Sequence, residues 1–391
     1  MATINYTSIY TANLLGVMLG LVLLIGNGWR WKRNDRENTL FIFMLILVIC
    51  TCISEPIAFI NDGLPGLSHR IIIYICDTLT FASNLMASCT WLVFLVYHLK
   101  GTINRIHIAL VNSIVALGLL TLLINLFYPV VFMIDETNTY HRYNTYYIYL
   151  AADVLMLLDS FATYLYIRLK GRRLRFFFFW VYSIPVLLGA VIQSRFYGTS
   201  MIAPCMMISL AGLMSTIQNE MIFKDKLTGI YNRYYLDQLD EELKRDKDGE
   251  YTFIMIDIND FKSINDNYGH QTGDQAIIDT ANILKKAVGS QGAAIRYAGD
   301  EFVIVLSTRS EIDTDIFITH IKKGFDDFNK AGNTKYELNV SMGYDVVNLR
   351  KTSMDEVMNH IDKLMYEDKT RYYKTHEQKN RRNKNEEDQH G

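Results

Sequence analysis

The pattern of apolar and polar positions divides the chain in two. Up to Gln218 the apolar positions form long runs, each near the ~20 residues that cross a bilayer as a helix. Seven such runs are predicted, at 9–29, 39–60, 71–99, 108–134, 146–167, 176–192 and 201–218. The third and fourth exceed one span, which predicts tilt or extension beyond the lipid. After Asn219 the runs shorten. The stretch 250–258 ends in YTFIMIDI and reads as a buried strand. Helices are predicted over 261–268 and 272–288, the second with Ala276, Ile277, Ala281 and Leu284 on one face. Strands at 293–297 and 302–306 flank the turn Ala298-Gly299-Asp300-Glu301, the pattern of a hairpin. A helix over 312–331, a strand over 336–347 and a helix over 354–373 complete the order. The fold class expected is an N-terminal all-α transmembrane bundle of about seven helices, followed by an α/β domain with a mixed central sheet. The expected domains are 1–219, 220–375 and a charged tail at 376–391, too poor in apolar side chains to fold.

Charge sharpens this division. The chain carries a formal −2, but the first 219 residues carry +5 and the remainder −7. A net acidic soluble half excludes a surface that coats nucleic acid, which would be basic. The turns after runs one, three and five hold Arg30, Lys32, Arg33, Arg36, Lys100, Arg105, Arg168, Lys170, Arg172, Arg173 and Arg175. The alternate turns hold only Arg70, Arg142 and Arg195. Basic loops stay in the cytoplasm, so the N-terminus is expected outside and the C-terminal half inside. Seven spans satisfy both ends; six would place the charged half outside. No basic residue precedes Arg30, so no cleaved signal peptide is expected.

Ionisable groups inside a bilayer are costly and call for a reason. Glu55, Asp77, Asp153 and Asp159 are such groups, the first three in the outer half of the membrane, and Gln193 and Arg195 stand at the outer end of run six. Two readings fit: a polar cavity that takes a small-molecule ligand from outside, or pairing that holds the bundle together. Pro204 falls near the start of run seven, where a first-turn proline is commonplace. The five cysteines, Cys50, Cys52, Cys76, Cys89 and Cys205, lie in apolar runs without metal-ligand spacing and read as small apolar residues.

In the soluble half, acidic groups stand at two strand ends: Asp257-Ile258-Asn259-Asp260, and Asp300-Glu301 in the hairpin turn. If the strands are neighbours, Asp257, Asp300 and Glu301 converge. Clustered carboxylates repel unless a cation or proton joins them. Oxygen ligands without His or Cys suit Mg²⁺, which co-binds phosphates, and paired ions serve in-line attack at phosphorus.

Four blocks then resemble one family in order. DKLTGIYNR runs from Asp225 to Arg233, DINDFKSINDNYGHQTGD from Asp257 to Asp274, RYAGDEF from Arg296 to Phe302, and DKLMYEDK from Asp362 to Lys369. Together they resemble the GGDEF domain of bacterial diguanylate cyclases, with the nucleotide-cyclase and polymerase-palm type of mixed sheet. The resemblance implies that two GTP molecules are condensed into cyclic di-GMP and diphosphate. It implies two Mg²⁺ ions, with Mn²⁺ as a substitute, held by Asp257, the Ile258 carbonyl, Asp300 and Glu301. Asp300 and Glu301 are the implied catalytic pair, with Glu301 assisting deprotonation of the attacking 3′-hydroxyl. Asn265 and Asp274 are implied to read guanine. The backbone near Phe261 and Lys262, with the side chains of Lys262 and Lys369, is implied to cradle the triphosphate, while His270 supports the loop. Each domain holds half a reaction, so a homodimer is implied, embedded in the bacterial inner membrane.

The departures from the family pattern are specific. Asn259 stands at a position that is not a metal ligand in the family scheme. Ala298 replaces the first signature glycine and fits if its φ is negative. Tyr372-Tyr373-Lys374 stands where the family has G-R-N, and Gly289 to Gly292 lacks the Arg-x-x-Asp of the family's inhibitory product site. These departures keep a nucleotide-binding receptor with impaired catalysis open beside the enzyme, and the intramembrane carboxylates alone keep open a transporter with a regulatory domain.

Overall fold

The computed structural model describes residues 6–26, 36–169, 179–196, 198–244, 250–289, 291–306 and 311–390, with the side chains of 242, 311–313 and 376–390 excepted. They form two compact units that divide between Gln218 and Asn219.

The first unit is built from α1 (Tyr6–Gly26), α2 (Arg36–Asn61), α3 (Leu67–Lys100), α4 (Arg105–Asn125), the strand pair β1 (Phe132–Ile134) and β2 (Tyr140–Arg142), α5 (Tyr146–Leu169), α6 (Phe179–Arg195) and α7 (Ile202–Ile222). Six of these helices are long and apolar enough to cross a membrane, judged by length and composition. The helix not counted among them is α6, which has 17 described residues; 176–178 of the sixth expected run lie outside the described residues. So do Arg30, Lys32, Arg33, Lys170, Arg172, Arg173 and Arg175 of the basic loops. The helices of this unit turn many large apolar side chains outward, among them Leu14, Leu15, Leu110 and Leu117. Water penalises such faces and lipid does not.

The bundle core holds Trp91, Phe94, Phe179, Tyr182 and Met207, with Trp91 stacked on Tyr182 at 3.6 Å between ring centroids. Glycines let helix backbones come close. A Cβ on Gly212 would stand 2.4 Å from Val181 Cγ1, and one on Gly189 2.9 Å from Cys205 Cβ. The fourth run was expected to be one helix over 108–134. It is instead a 21-residue helix followed by a strand. Asn125 ends the helix: its Oδ1 accepts from the amides of Val130, Val131 and Phe132 at 2.7, 2.7 and 3.2 Å. Pro204 stands in the first turn of α7, where it costs no hydrogen bond.

The second unit contains β3 (Tyr231–Asn232), α8 (Arg233–Leu243), β4 (Tyr251–Ile258), α9 (Phe261–Tyr268), α10 (His270–Val288), β5 (Gly292–Ala298), β6 (Glu301–Leu306), α11 (Glu311–Ala331), β7 (Val340–Val347) and α12 (Met354–His390). The sheet order is β3-β5-β6-β4-β7. The β3–β5 pair is parallel and the other three pairs are antiparallel, so the sheet is mixed. β4 lies inside it with every residue buried, and its sequence is apolar throughout except at Thr252 and Asp257. Ile254, Ile256, Phe302, Ile304, Ala281 and Leu284 pack in one core on α10.

Most boundaries in this unit fall within two residues of expectation, and two differ by more. The strand expected over 336–347 starts at Val340, because Asn329 instead takes the backbone of Leu338, accepting from its amide at 2.8 Å and donating to its carbonyl at 3.0 Å. α12 is helical through His390 and includes the residues expected to be a structureless tail. At β7, a Cβ on Gly343 would lie 2.2 Å from both Ile361 O and Met365 N. The bare glycine therefore lets the backbone of α12 lie directly on the sheet, which places the stripe Asp362, Lys369 and Tyr373 near the end of β4.

Candidate active site

Strand pairing gathers the acidic groups. Asp257 on β4 stands opposite Glu301 on β6. Opposed side chains in an antiparallel pair share a face, with Cβ atoms ~5 Å apart. Asp300 sits in the hairpin turn, and its carbonyl accepts from Ile258 N at 3.4 Å. From α12, Lys369 Nζ donates to Asp257 Oδ1 at 2.6 Å, and the Asp257 side chain is only 7 % exposed.

The turn depends on one glycine. Gly299 has φ +38°, a conformation that disfavours side chains. Ala298 is not among the residues with positive φ, so alanine fits where the family has glycine. Arg296 braces the hairpin: its Nε donates to Gly299 O at 2.9 Å and its Nη1 lies 3.2 Å from Asp225 Oδ1. Asp225 Oδ1 also accepts from Thr228 N and Oγ1 at 2.9 and 2.7 Å. Burial alone would raise its pKa, but the Thr228 bonds and Arg296 outweigh that and hold it below the usual carboxylate range.

Electrostatics mark the cluster as short of positive charge. Burial raises the Glu301 pKa, and Asp257, Asp300 and Asp362 push it further, with Lys369 opposing. Burial likewise raises Asp257; Lys369 pulls it down, but Asp300 and Asp362 add to the rise. Burial would lower Lys369, yet Asp257 holds its proton on and the net shift is upward. A cation relieves such a site. Among the described residues, no three His, Cys, Asp or Glu side chains close round one ion. Mg²⁺ commonly takes one or two carboxylates, several waters and a substrate phosphate. The donors present, all oxygen, fit an ion that arrives with a nucleotide.

The adjoining loop is open to anions. Asp260 adopts φ 56°, and its side chain makes no cap to α9. The first amides of α9, those of Phe261 and Lys262 included, therefore lack a side-chain acceptor, the usual setting for phosphate. Lys262 is exposed beside them, and His270 and Asp274 are exposed at the start of α10. Asn265 lies against that helix: a Cβ on Gly273 would stand 2.0 Å from Asn265 Oδ1. Asn259 is buried and accepts from Ser341 Oγ at 2.8 Å, which ties the loop to β7. Two contributors were absent from the expected set. Asp362 adds negative potential at Asp257 and Glu301, and the Tyr373 hydroxyl accepts from Asp260 N at 3.3 Å. Their signal was spacing, since 362, 369 and 373 repeat along one helical stripe.

The fold and site define a class: an α/β domain with a mixed sheet whose edge joins acidic groups to an anion-receptive helix start. Residues 222–374 match the family described as "Diguanylate cyclase, GGDEF domain". A Bacillus subtilis protein called "Uncharacterized protein YtrP" is 31 % identical over 148 residues, covering 36 % of this chain and 24 % of that protein. The Escherichia coli "Probable diguanylate cyclase DgcF" is 29 % identical over 199 residues, covering 50 % of this chain and 61 % of that one. The chain thus spans less than two thirds of these curated relatives' length. Among solved structures, the coiled coil and GGDEF domain of DgcB from Caulobacter crescentus, in complex with c-di-GMP, is 22 % identical, covering 40 % of this chain and 85 % of that chain, with TM-score 0.35. Residues 222–374 of this chain thus match a GGDEF domain, preceded by a helical region with several apolar helices.

Proposed function

We propose that the protein is a membrane-bound diguanylate cyclase, which condenses two GTP into cyclic di-GMP and diphosphate. The observation that carries this reading is the register of Asp257 opposite Glu301, with Asp300 in the adjoining turn. In the proposed reaction Asp257, the Ile258 carbonyl, Asp300 and Glu301 hold Mg²⁺, which neutralises charge on the phosphates. The amides at Phe261 and Lys262, with Lys262 and Lys369, bind the triphosphate. Asp274 accepts from the N1–H and 2-amino group of guanine, with Asn265 beside it on the same edge, and adenine offers neither donor. Each site holds one GTP, so two chains face each other, and fixing both nucleotides in line supplies much of the rate.

The membrane half is proposed to have seven spans, with the N-terminus outside and the GGDEF domain in the bacterial cytoplasm, on the strength of the basic loops. It is also proposed to regulate the cyclase. α7 ends at Ile222, three positions before Asp225 of the opening motif, so little chain separates the last helix from the catalytic domain.

The test uses the full chain in lipid nanodiscs with GTP and Mg²⁺, and cyclic di-GMP is quantified. Product from the native chain and none from Glu301→Gln is the expected result. GTP binding without product from the native chain would leave a receptor in place of the enzyme.

A further inference from the structure

We propose that the cavity at one end of the helical bundle binds a small zwitterion, an ammonium and a carboxylate on one amino-acid-sized molecule. This rests on the reading of the membrane half as the regulatory part. The cavity holds about 230 Å³ and lies where three connections meet: α2 to α3, the β1–β2 hairpin, and α6 to α7. Asn138 and Arg70 staple the hairpin there. Asn138 Nδ2 donates to Leu64 O and Gly66 O at 2.6 and 2.9 Å, and Arg70 Nε donates to Asn138 Oδ1 at 2.9 Å.

Three carboxyl groups and two guanidinium groups line the space, and their bonding separates them. Glu55 is occupied, since Gln193 Nε2 donates to one oxygen at 2.8 Å and Ser200 Oγ to the other at 2.6 Å. Asp62 Oδ1 accepts from Tyr140 N at 2.8 Å. Asp77 differs: its Oδ2 is closed off from solvent and has no hydrogen-bond partner. A buried polar atom left in this way is costly and marks where a partner belongs. Of the two cations, Arg142 lies over the Tyr146 ring at 4.0 Å. Arg195 is exposed and, among the described residues, has no ion pair.

The occupant follows from this arrangement. A simple anion would meet three carboxyl groups, and a simple cation would face both guanidinium groups. A molecule with both charges answers each: its ammonium donates to Asp77, and its carboxylate takes the fork of Arg195. Phe59, Phe81 and Tyr146 supply apolar walls for the carbon frame. Asp153, expected to share such a cavity, does not line it.

The experiment is thermal unfolding of the full chain in nanodiscs with each of the common L-amino acids at saturating concentration. N-acetylated and methyl-ester forms of any active amino acid serve as controls. The expected result is a rise of about 3 °C or more with at least one amino acid. That rise should vanish with either control, and in Asp77→Asn and Arg195→Gln alike. Arg195 is exposed, so its variant decides the matter if Asp77→Asn does not fold. No shift with any amino acid overturns the proposal, as does an equal shift with the methyl ester or in the Arg195 variant. Cyclic di-GMP output is read separately. A shift with unchanged output upholds the site and removes the regulatory reading.

Discussion

Lys369 places its ammonium 2.6 Å from Asp257 Oδ1, a bond between residues 112 apart in sequence that ties the last helix to the central strand. Lys369 supplies the positive charge that faces the buried Asp257 carboxylate. Lys369→Met leaves Asp257 buried with its charge unanswered, which costs about 2 kcal/mol in a partly exposed pair. The pH dependence has a definite sign. The Asp257 pKa is already raised in the fold, and loss of Lys369 raises it further. Ionisation of Asp257 then opposes folding increasingly as pH rises above its unfolded value, and protonation removes the penalty. Calorimetry of the full chain should show a large deficit near pH 8 that shrinks near pH 5. Equal deficits at both would rule out Asp257 as the group responsible.

A second prediction concerns the metal. Asp257 and Glu301 must be ionised to bind Mg²⁺, and both hold their protons to higher pH than free carboxylates. Protons and metal therefore compete. The acid limb of cyclase activity is expected above ~4, the ordinary carboxylate value, and should move to lower pH as Mg²⁺ is raised. Initial rates across the pH range at two Mg²⁺ concentrations test this. A limb indifferent to Mg²⁺ would remove these carboxylates from the metal site.

The hairpin yields a third. The unusual dihedral belongs to Gly299, at φ +38°, and not to Ala298. Ala298→Gly should change the cyclase rate by less than about threefold and stability by under ~1 kcal/mol. Gly299→Val forces a β-branched residue to positive φ, costs about 2 kcal/mol and displaces Asp300 beside it. Its rate should fall at least tenfold. Parallel rate and unfolding measurements on the two variants decide; an impaired Ala298→Gly would mean the alanine itself is required.

What the sequence made legible follows from where its signals are strong. The buried run of β4, the helix α9 and the hairpin around Gly299 were readable because each has a clear period or turn residue. The site residues Asp257, Glu301, Asp300 and Lys369 came with their motifs, and the structure brings them to one edge. The bond of Lys369 to Asp257 was not readable, because it depends on Gly343 letting α12 rest on β7. β3 has two residues, too few to show a period. The end of α4 was hidden because Leu126 to Ile134 is as apolar as the helix before it; the side chain of Asn125 ends the helix, and hydropathy does not register one asparagine. Asp153 was grouped with Glu55 and Asp77 by depth alone, and depth does not say which side of a helix faces a cavity.

Asn265 and Gly273 carry the last prediction. Gly273 is buried in α10, and a Cβ there would stand 2.0 Å from Asn265 Oδ1. Gly273→Ala therefore acts in opposite directions on stability and on binding. Alanine in a helix interior is favoured over glycine by about 1 kcal/mol, and the atom it meets is the movable end of a side chain. Stability should hold or rise. Asn265, however, must leave its position, and if it reads guanine the KM for GTP rises, by about tenfold for one lost hydrogen bond to the base. A merely structural glycine would lower stability and leave KM alone. The double variant separates clash from recognition: with Asn265→Ala already in place, adding Gly273→Ala should raise KM no further. A further rise would show that Gly273 contacts the nucleotide by a route that does not involve Asn265.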